Sequence, residues 1–135
     1  MGRHVLILLD THIVLWLALQ PERISKSARA VIDEARGSGT GLAISAMTLV
    51  EISTLFGKRR FNLAMSLESF LGEVQRKFVV LPINARTCAR MLSLPAGYSK
   101  DPADRVIGAT ALVEGMSLVT ADREIRRAKV VRTIW

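Results

Sequence analysis

The chain has 135 residues, the size of one domain, with room for a substantial core but too short for two. Half of the residues are apolar and 23% are charged, which excludes a disordered, solvating chain. Lys and Arg number 19 against 12 Asp and Glu, a formal charge of +7, so the surface field favours polyanionic partners such as nucleic acid or an acidic protein.

The first twenty residues, MGRHVLILLDTHIVLWLALQ, have an early positive end and many apolar residues. Asp10, Thr11 and His12 split that stretch, and no small-residue cleavage site follows, so a secretion signal is not expected. Neither half reaches the roughly 20 apolar residues of a membrane span. The expectation is a buried strand entering a helix in a cytoplasmic protein. Val5 to Leu9 is too short for a helix and suits a strand covered on both faces. Ile13 to Leu19 reads as a helix ended by Pro21. Ser25 is positioned to cap a helix with Ala28, Val31, Ile32 and Ala35 on its apolar face. Leu42 to Ile44 is a second strand, and Ser45 caps a helix from Ala46 to about residue 56. After the basic turn Lys58–Arg60, Asn62 begins an amphipathic helix with Leu63, Leu67, Phe70, Leu71 and Val74 at helical spacing. Phe78 to Leu81 forms a third strand, and Asn84 to Leu94 a helix that takes Cys88 into the core. Asp101-Pro102 opens a helix to Glu114, Ser117 to Thr120 is a fourth strand, and Val130 to Ile134 a fifth after a short basic helix. Strands alternating with helices predict βαβ units: an α/β domain over 1–135 with a parallel sheet of four to five strands and helices on both faces.

Four of the five aspartates fall where strands end or helices begin. Asp10 directly follows the first strand, Asp122 follows the fourth after one residue, and Asp101 and Asp104 occupy one helical first turn. The C-terminal ends of strands in an open parallel sheet converge on one edge, where ligands bind. Glu51 has Met47, Thr48, Thr54 and Leu55 as its helical neighbours, so it faces inward, where a lone carboxylate must protonate, pair or bind a cation. One cysteine, Cys88, and two histidines, His4 and His12, exclude a disulfide framework, a Cys-rich zinc site and a histidine cage. Carboxylates crowded at one rim instead suit a hard divalent ion, Mg²⁺ or Mn²⁺. With a basic surface for phosphates, this points to metal-dependent phosphodiester cleavage.

LLDTHIVLW, SAMTLVEIS, DPADRVIGATAL and LVTADREI, in that order, resemble the PIN-domain family, and more narrowly the VapC-type toxins of bacterial toxin–antitoxin pairs. The resemblance runs over essentially the whole chain. It implies that Asp10, Glu51, Asp104 and Asp122 are the catalytic, metal-binding acids, with Asp101 an extra acid and Thr11 and Thr120 polar supports. It further implies a Mg²⁺- or Mn²⁺-dependent endoribonuclease that leaves a 5′-phosphate and a 3′-hydroxyl, forms a homodimer and is neutralised by a VapB-type antitoxin. Arg105 and Arg123 each directly follow a candidate ligand and are the expected RNA contacts. Each acid also has a plain structural reading. Asp10, Asp101 and Asp122 can be helix N-caps, Asp104 can favour a helix dipole, and Glu51 can pair with a distant Arg. The alternative function is therefore an RNA- or antitoxin-binding module without catalysis. A third is an aspartyl-phosphate enzyme built on Asp10, which lacks the second early acid and late Lys such enzymes use.

Overall fold

The computed structural model describes residues 6–38 and 41–135; His4 and Val5, where the first strand was expected to begin, lie outside the described residues. Its elements follow in chain order: β1 (Ile7–Leu9), α1 (Thr11–Leu19), α2 (Lys26–Gly37), β2 (Leu42–Ser45), α3 (Ala46–Gly57), α4 (Leu67–Lys77), β3 (Val79–Leu81), α5 (Ala85–Leu92), α6 (Pro102–Glu114), β4 (Ser117–Val119), α7 (Arg123–Ala128) and β5 (Thr133–Ile134). A single 3₁₀ turn, Pro21–Arg23, separates α1 from α2.

The strands form one sheet in the order β3-β2-β1-β4-β5, with every pairing parallel. Leu8 lies opposite Ala43 on one side and Leu118 on the other. Successive strand residues point to opposite faces, and the core divides accordingly. Ile7, Leu9, Leu42, Ile44 and Val119 pack with α1, α2 and α4. Leu8, Ala43 and Leu118 pack with Ile107 and Ala111 of α6 and Ile125 of α7. Helices therefore cover both faces, which is why the strands read as unbroken apolar runs. Leu8, Leu9 and Leu118 are completely buried, each contributing about 1.5–3 kcal/mol relative to an exposed side chain.

Side-chain caps set most helix starts. Ser25 and Ser45 accept the backbone N–H groups of Ala28 and Met47 as expected, and Asn84, expected inside its helix, caps it instead by accepting the Thr87 N–H. At the other end of α6, Gly115 takes a left-handed conformation (φ 67°), which suits glycine at a helix C-terminus. The helix expected from Asn62 begins instead at Leu67, because Ser66 accepts the Ser69 N–H and takes the capping role. Residues 62–65 approach it as a non-helical segment, yet Leu63 still packs on the core. β5 is shorter than expected, two residues rather than five, and Cys88 is exposed rather than core. Among the described residues no helix is long and apolar enough to cross a membrane.

The sheet order carries the functional consequence. The chain builds outward from β1 through β2 to β3, then returns to the other side of β1 for β4 and β5. The order reverses between β1 and β4, and such a switch point opens a crevice at the strand C-terminal ends. Asp10 follows β1 there, and Thr120 and Asp122 follow β4.

Candidate active site

Asp10 is 3% exposed and its carboxylate is held from two sides. Oδ1 accepts the Thr11 N–H (2.9 Å), capping α1, and Oδ2 accepts the Thr120 hydroxyl (2.8 Å). Thr120 Oγ1 in turn accepts the Asp122 N–H (3.0 Å), so one buried hydroxyl ties the ends of β1 and β4 together. The Thr11 and Thr48 hydroxyls lie 3.1 Å apart and join α1 to α3, the helix that carries Glu51. Thr11 and Thr120 thus both make side-chain hydrogen bonds at this edge of the sheet.

The start of α6 supplies the second half. Asp101 caps that helix by accepting the Ala103 N–H (2.8 Å), with Pro102 next to it. Ser99 Oγ accepts the Asp101 N–H (3.2 Å) and donates to Asp104 Oδ2 (2.6 Å). One carboxylate oxygen from each of Glu51, Asp101 and Asp104 lies within 4.8 Å of the other two. Among the described residues Glu51 Oε1 is buried with no hydrogen-bond partner, and no Arg or Lys of them pairs with Glu51. A buried anionic oxygen without a donor is costly. Carboxylate oxygens in this number suit a hard divalent cation, so Mg²⁺ or Mn²⁺ fits the residues present.

The electrostatics agree. Burial pushes the Asp104 carboxyl up to about 7, with the charges of Asp10, Asp101 and Glu51 adding to the rise and the Ser99 hydroxyl opposing it. Burial likewise raises Glu51, against the Thr11 hydroxyl and with Asp10 and Asp101 contributing. The acids thus compete for negative charge, and a bound cation relieves that competition.

The structure brings Glu51, Asp101 and Asp104 into one cluster, with Asp10 beside them as a charge felt by both Glu51 and Asp104. Asp101, an extra acid in the sequence reading, is a full member. Asp122 stands apart from the trio: its Oδ1 accepts the Glu124 and Ile125 N–H groups and caps α7. Arg105 turns away from the role expected for it. Its guanidinium donates to the carbonyls of Ser99 (3.1 Å), Met91 (3.1 Å) and Leu94 (2.9 Å), bracing the segment that presents Ser99. Arg123 is exposed at the start of α7.

Three further residues belong to the site. Ser99 orients Asp104, and a Ser two positions before an Asp-Pro helix start is a turn signal available in the sequence. Tyr98 is buried, with a hydroxyl that has no partner. Burial, then the charges of Asp10, Asp104 and Asp122, push its ionisation upward. Its ring occupies the space beside Gly108, where a Cβ would stand 2.4 Å from Oη. His12 stacks edge-on against Trp16. It also accepts the Ala121 N–H at Nε2 (2.9 Å), which fastens α1 to the turn after β4. Burial lowers its pKa, against the raising charges of Asp10 and Asp122, and an accepting Nε2 requires the uncharged ring.

The family profile described as the PIN domain matches residues 7–131. Ribonuclease VapC22 of Mycobacterium tuberculosis is 34% identical over 131 residues, covering 96% of this chain and 98% of that protein. Among solved structures, VapBC2 from Rickettsia felis bound to a promoter DNA fragment superposes with a TM-score of 0.71 at 18% identity, covering 96% of this chain and 97% of the other. DNA-bound VapBC from Salmonella typhimurium gives 0.70 at 19% identity, covering 96% of both chains. These structures share the fold.

Proposed function

Starting from a chain that belongs to the PIN domain family, we propose that it is a VapC-type endoribonuclease, the toxin of a toxin–antitoxin pair. The observation that carries its metal dependence is the buried, partnerless Glu51 Oε1 set beside the Asp101 and Asp104 carboxylates. Glu51, Asp101 and Asp104 would hold Mg²⁺ or Mn²⁺, with Asp10 contributing charge or a contact through water. Such an ion, when bound, polarises a phosphoryl oxygen and lowers the pKa of an attacking water.

The remaining work falls to the chain's own residues. Thr120 and the Thr11 N–H fix both oxygens of Asp10, so that carboxylate cannot swing as charge builds on the substrate. Ser99 fixes one oxygen of Asp104 and leaves the other free to point at the cation. Asp122 stands next to the crevice and orders the start of α7, from which the exposed Arg123 would meet an RNA phosphate. Preorganised groups of this kind need no rearrangement in the transition state. A VapB-type antitoxin is the expected inhibitor and a homodimer the expected assembly.

A binding module without catalysis would account for Asp10, Asp101 and Asp122 as helix caps, but it leaves Glu51 Oε1 without a purpose. The test is incubation of total cellular RNA with the purified protein and Mn²⁺, with and without EDTA, beside Asp104→Asn. The expected result is cleavage by wild type that EDTA abolishes and D104N lacks. Cleavage by D104N at the wild-type rate would overturn the assignment.

A further inference from the structure

Beyond Asp122 the surface changes sign. Arg123, Arg126, Arg127 and Lys129 line one shallow depression of about 370 Å³ along α7. Among the described residues, none of these four cations has a carboxylate or hydrogen-bond partner. The stretch from Arg123 to Arg132 holds five cations and a single acid, Glu124.

Helix chemistry does not account for the arrangement. Arg126 and Arg127 lie in the last turn, where cations suit the helix dipole. Arg123 lies in the first turn, where a cation opposes it. Lys129 ends the helix at φ 54°, a left-handed position that favours Gly or Asn. Two of the four positions thus disfavour the residues found there. The groove also begins at the residue after Asp122, whose charge acts on His12 and Tyr98 of the crevice. At about 1.5 Å per helical residue, Arg126 and Arg127 stand roughly 6–8 Å beyond it.

We propose that this depression is a track for the phosphodiester backbone of single-stranded RNA, holding phosphates that flank the one at the acidic crevice. The proposal rests on the ribonuclease reading above. An acidic peptide would meet Asp122 as it left the groove, whereas a nucleic-acid strand suits both halves: its scissile phosphate needs the cation held by the acids, and its neighbours need these arginines. Arginine forks engage phosphate oxygens in pairs without reading bases.

The track predicts a salt signature. Each phosphate contact on a single strand contributes about 0.7 to the slope of log K against log salt. The test uses a fluorescent oligouridylate of about 12 nucleotides, near the upper site size of single-strand binders, titrated in EDTA so that binding is read without cleavage. R126Q/R127Q/K129Q is expected to melt as wild type does, to bind at least tenfold more weakly at about 50 mM salt, and to lose about 2 from the slope. Should half-buried Arg126 prove necessary for folding, the exposed pair R127Q/K129Q serves, with a loss of about 1.4. An unchanged slope, or no measurable wild-type binding at low salt, overturns the track. So does variant loss of poly-glutamate binding with RNA binding intact, which assigns the groove to an acidic protein. Wild-type cleavage of total RNA in Mn²⁺ is measured alongside. Cleavage with an unchanged slope refutes the track alone; absence of cleavage refutes the ribonuclease reading itself.

Discussion

Replacing Asp104 with Asn removes one negative charge from the acidic crevice while leaving a carbonyl oxygen to accept the Ser99 hydroxyl. In the folded protein the Asp104 carboxyl rises from 3.8 to about 7, through burial first and neighbouring acids second. Folding without metal therefore favours the protonated form: the stabilising contribution is complete below about pH 4 and is lost as pH climbs through about 7. At about 1.4 kcal/mol per tenfold change, the ceiling on this effect is about 4 kcal/mol. The carboxyl is only half-buried, and solvent screening reduces the figure to about 2 kcal/mol. A domain of this size shifts by about 3–4 °C in Tm per kcal/mol. In EDTA near pH 8, D104N is thus expected to melt about 6–8 °C above wild type, the gap closing toward pH 4. Mn²⁺ reverses the order: at a hundredfold excess over Kd it adds about 2.7 kcal/mol to wild type and less than a third of that to the variant. Thermal melts across pH, with and without Mn²⁺, read both effects. A metal-free D104N that melts below wild type near pH 8 would show that the carboxylate is not strained. Equal stabilisation of both proteins by Mn²⁺ would show that it is not a ligand.

Four other expectations concern the groups around the acids. Tyr98→Phe deletes a buried hydroxyl that has no partner, so it should raise stability by about 1 kcal/mol, reversing the usual sign for this substitution. Gly108→Ala sets a Cβ 2.4 Å from Tyr98 Oη and 2.8 Å from Cζ. Overpacking of about 2–3 kcal/mol outweighs the roughly 1 kcal/mol gained in helix propensity. Calorimetry of the Y98F/G108A double variant should recover part of that loss; none recovered would mean the hydroxyl is not the obstacle. Arg105→Lys keeps the charge but loses the three-way carbonyl contact, and should weaken Mn²⁺ binding about tenfold by calorimetric titration. Unchanged affinity would confine Arg105 to folding. His12 should titrate below 6.5 by NMR with Nε2 unprotonated at neutral pH, because burial outweighs Asp10 and Asp122. Its contribution to stability is present above the unfolded value and fades as pH falls through the lowered one, opposite in slope to Asp104. A proton found on Nε2 at neutral pH would contradict the bond from Ala121.

The fold was legible where a local signal and the tertiary structure agree. Apolar runs such as ILL and LAI mark strands buried on both faces, and Ser25, Ser45 and Asn84 sit at helix starts because their side chains replace a missing backbone acceptor. Where two equivalent signals compete, sequence alone cannot choose. Asn62 and Ser66 are both competent caps before the same apolar pattern, and the chain uses Ser66. Cys88 shows a different failure. Helical spacing placed it with apolar neighbours, but α5 lies on the outside of α6 and leaves that position exposed.

The acids themselves were legible because each stands at a boundary that a parallel sheet must bring to one edge, and Glu51 because its helical neighbours leave no polar face for it. What could not be read was the division of labour among them. Asp101 and Asp122 make the same local hydrogen bonds as helix caps, and only the approach of α3 to α6 places Asp101, and not Asp122, within reach of Glu51 and Asp104. Arg105 follows from the same point. Beside a candidate ligand it looked like a phosphate contact, yet the end of α5 and the segment that follows it turn the carbonyls of Met91, Leu94 and Ser99 toward its guanidinium. Buried carbonyls must find donors, and the nearest fork of N–H groups is Arg105. The cations open to a phosphate backbone are those whose neighbours offer no acceptor, and among the described residues Arg123, Arg126, Arg127 and Lys129, on and just after α7, are of that kind.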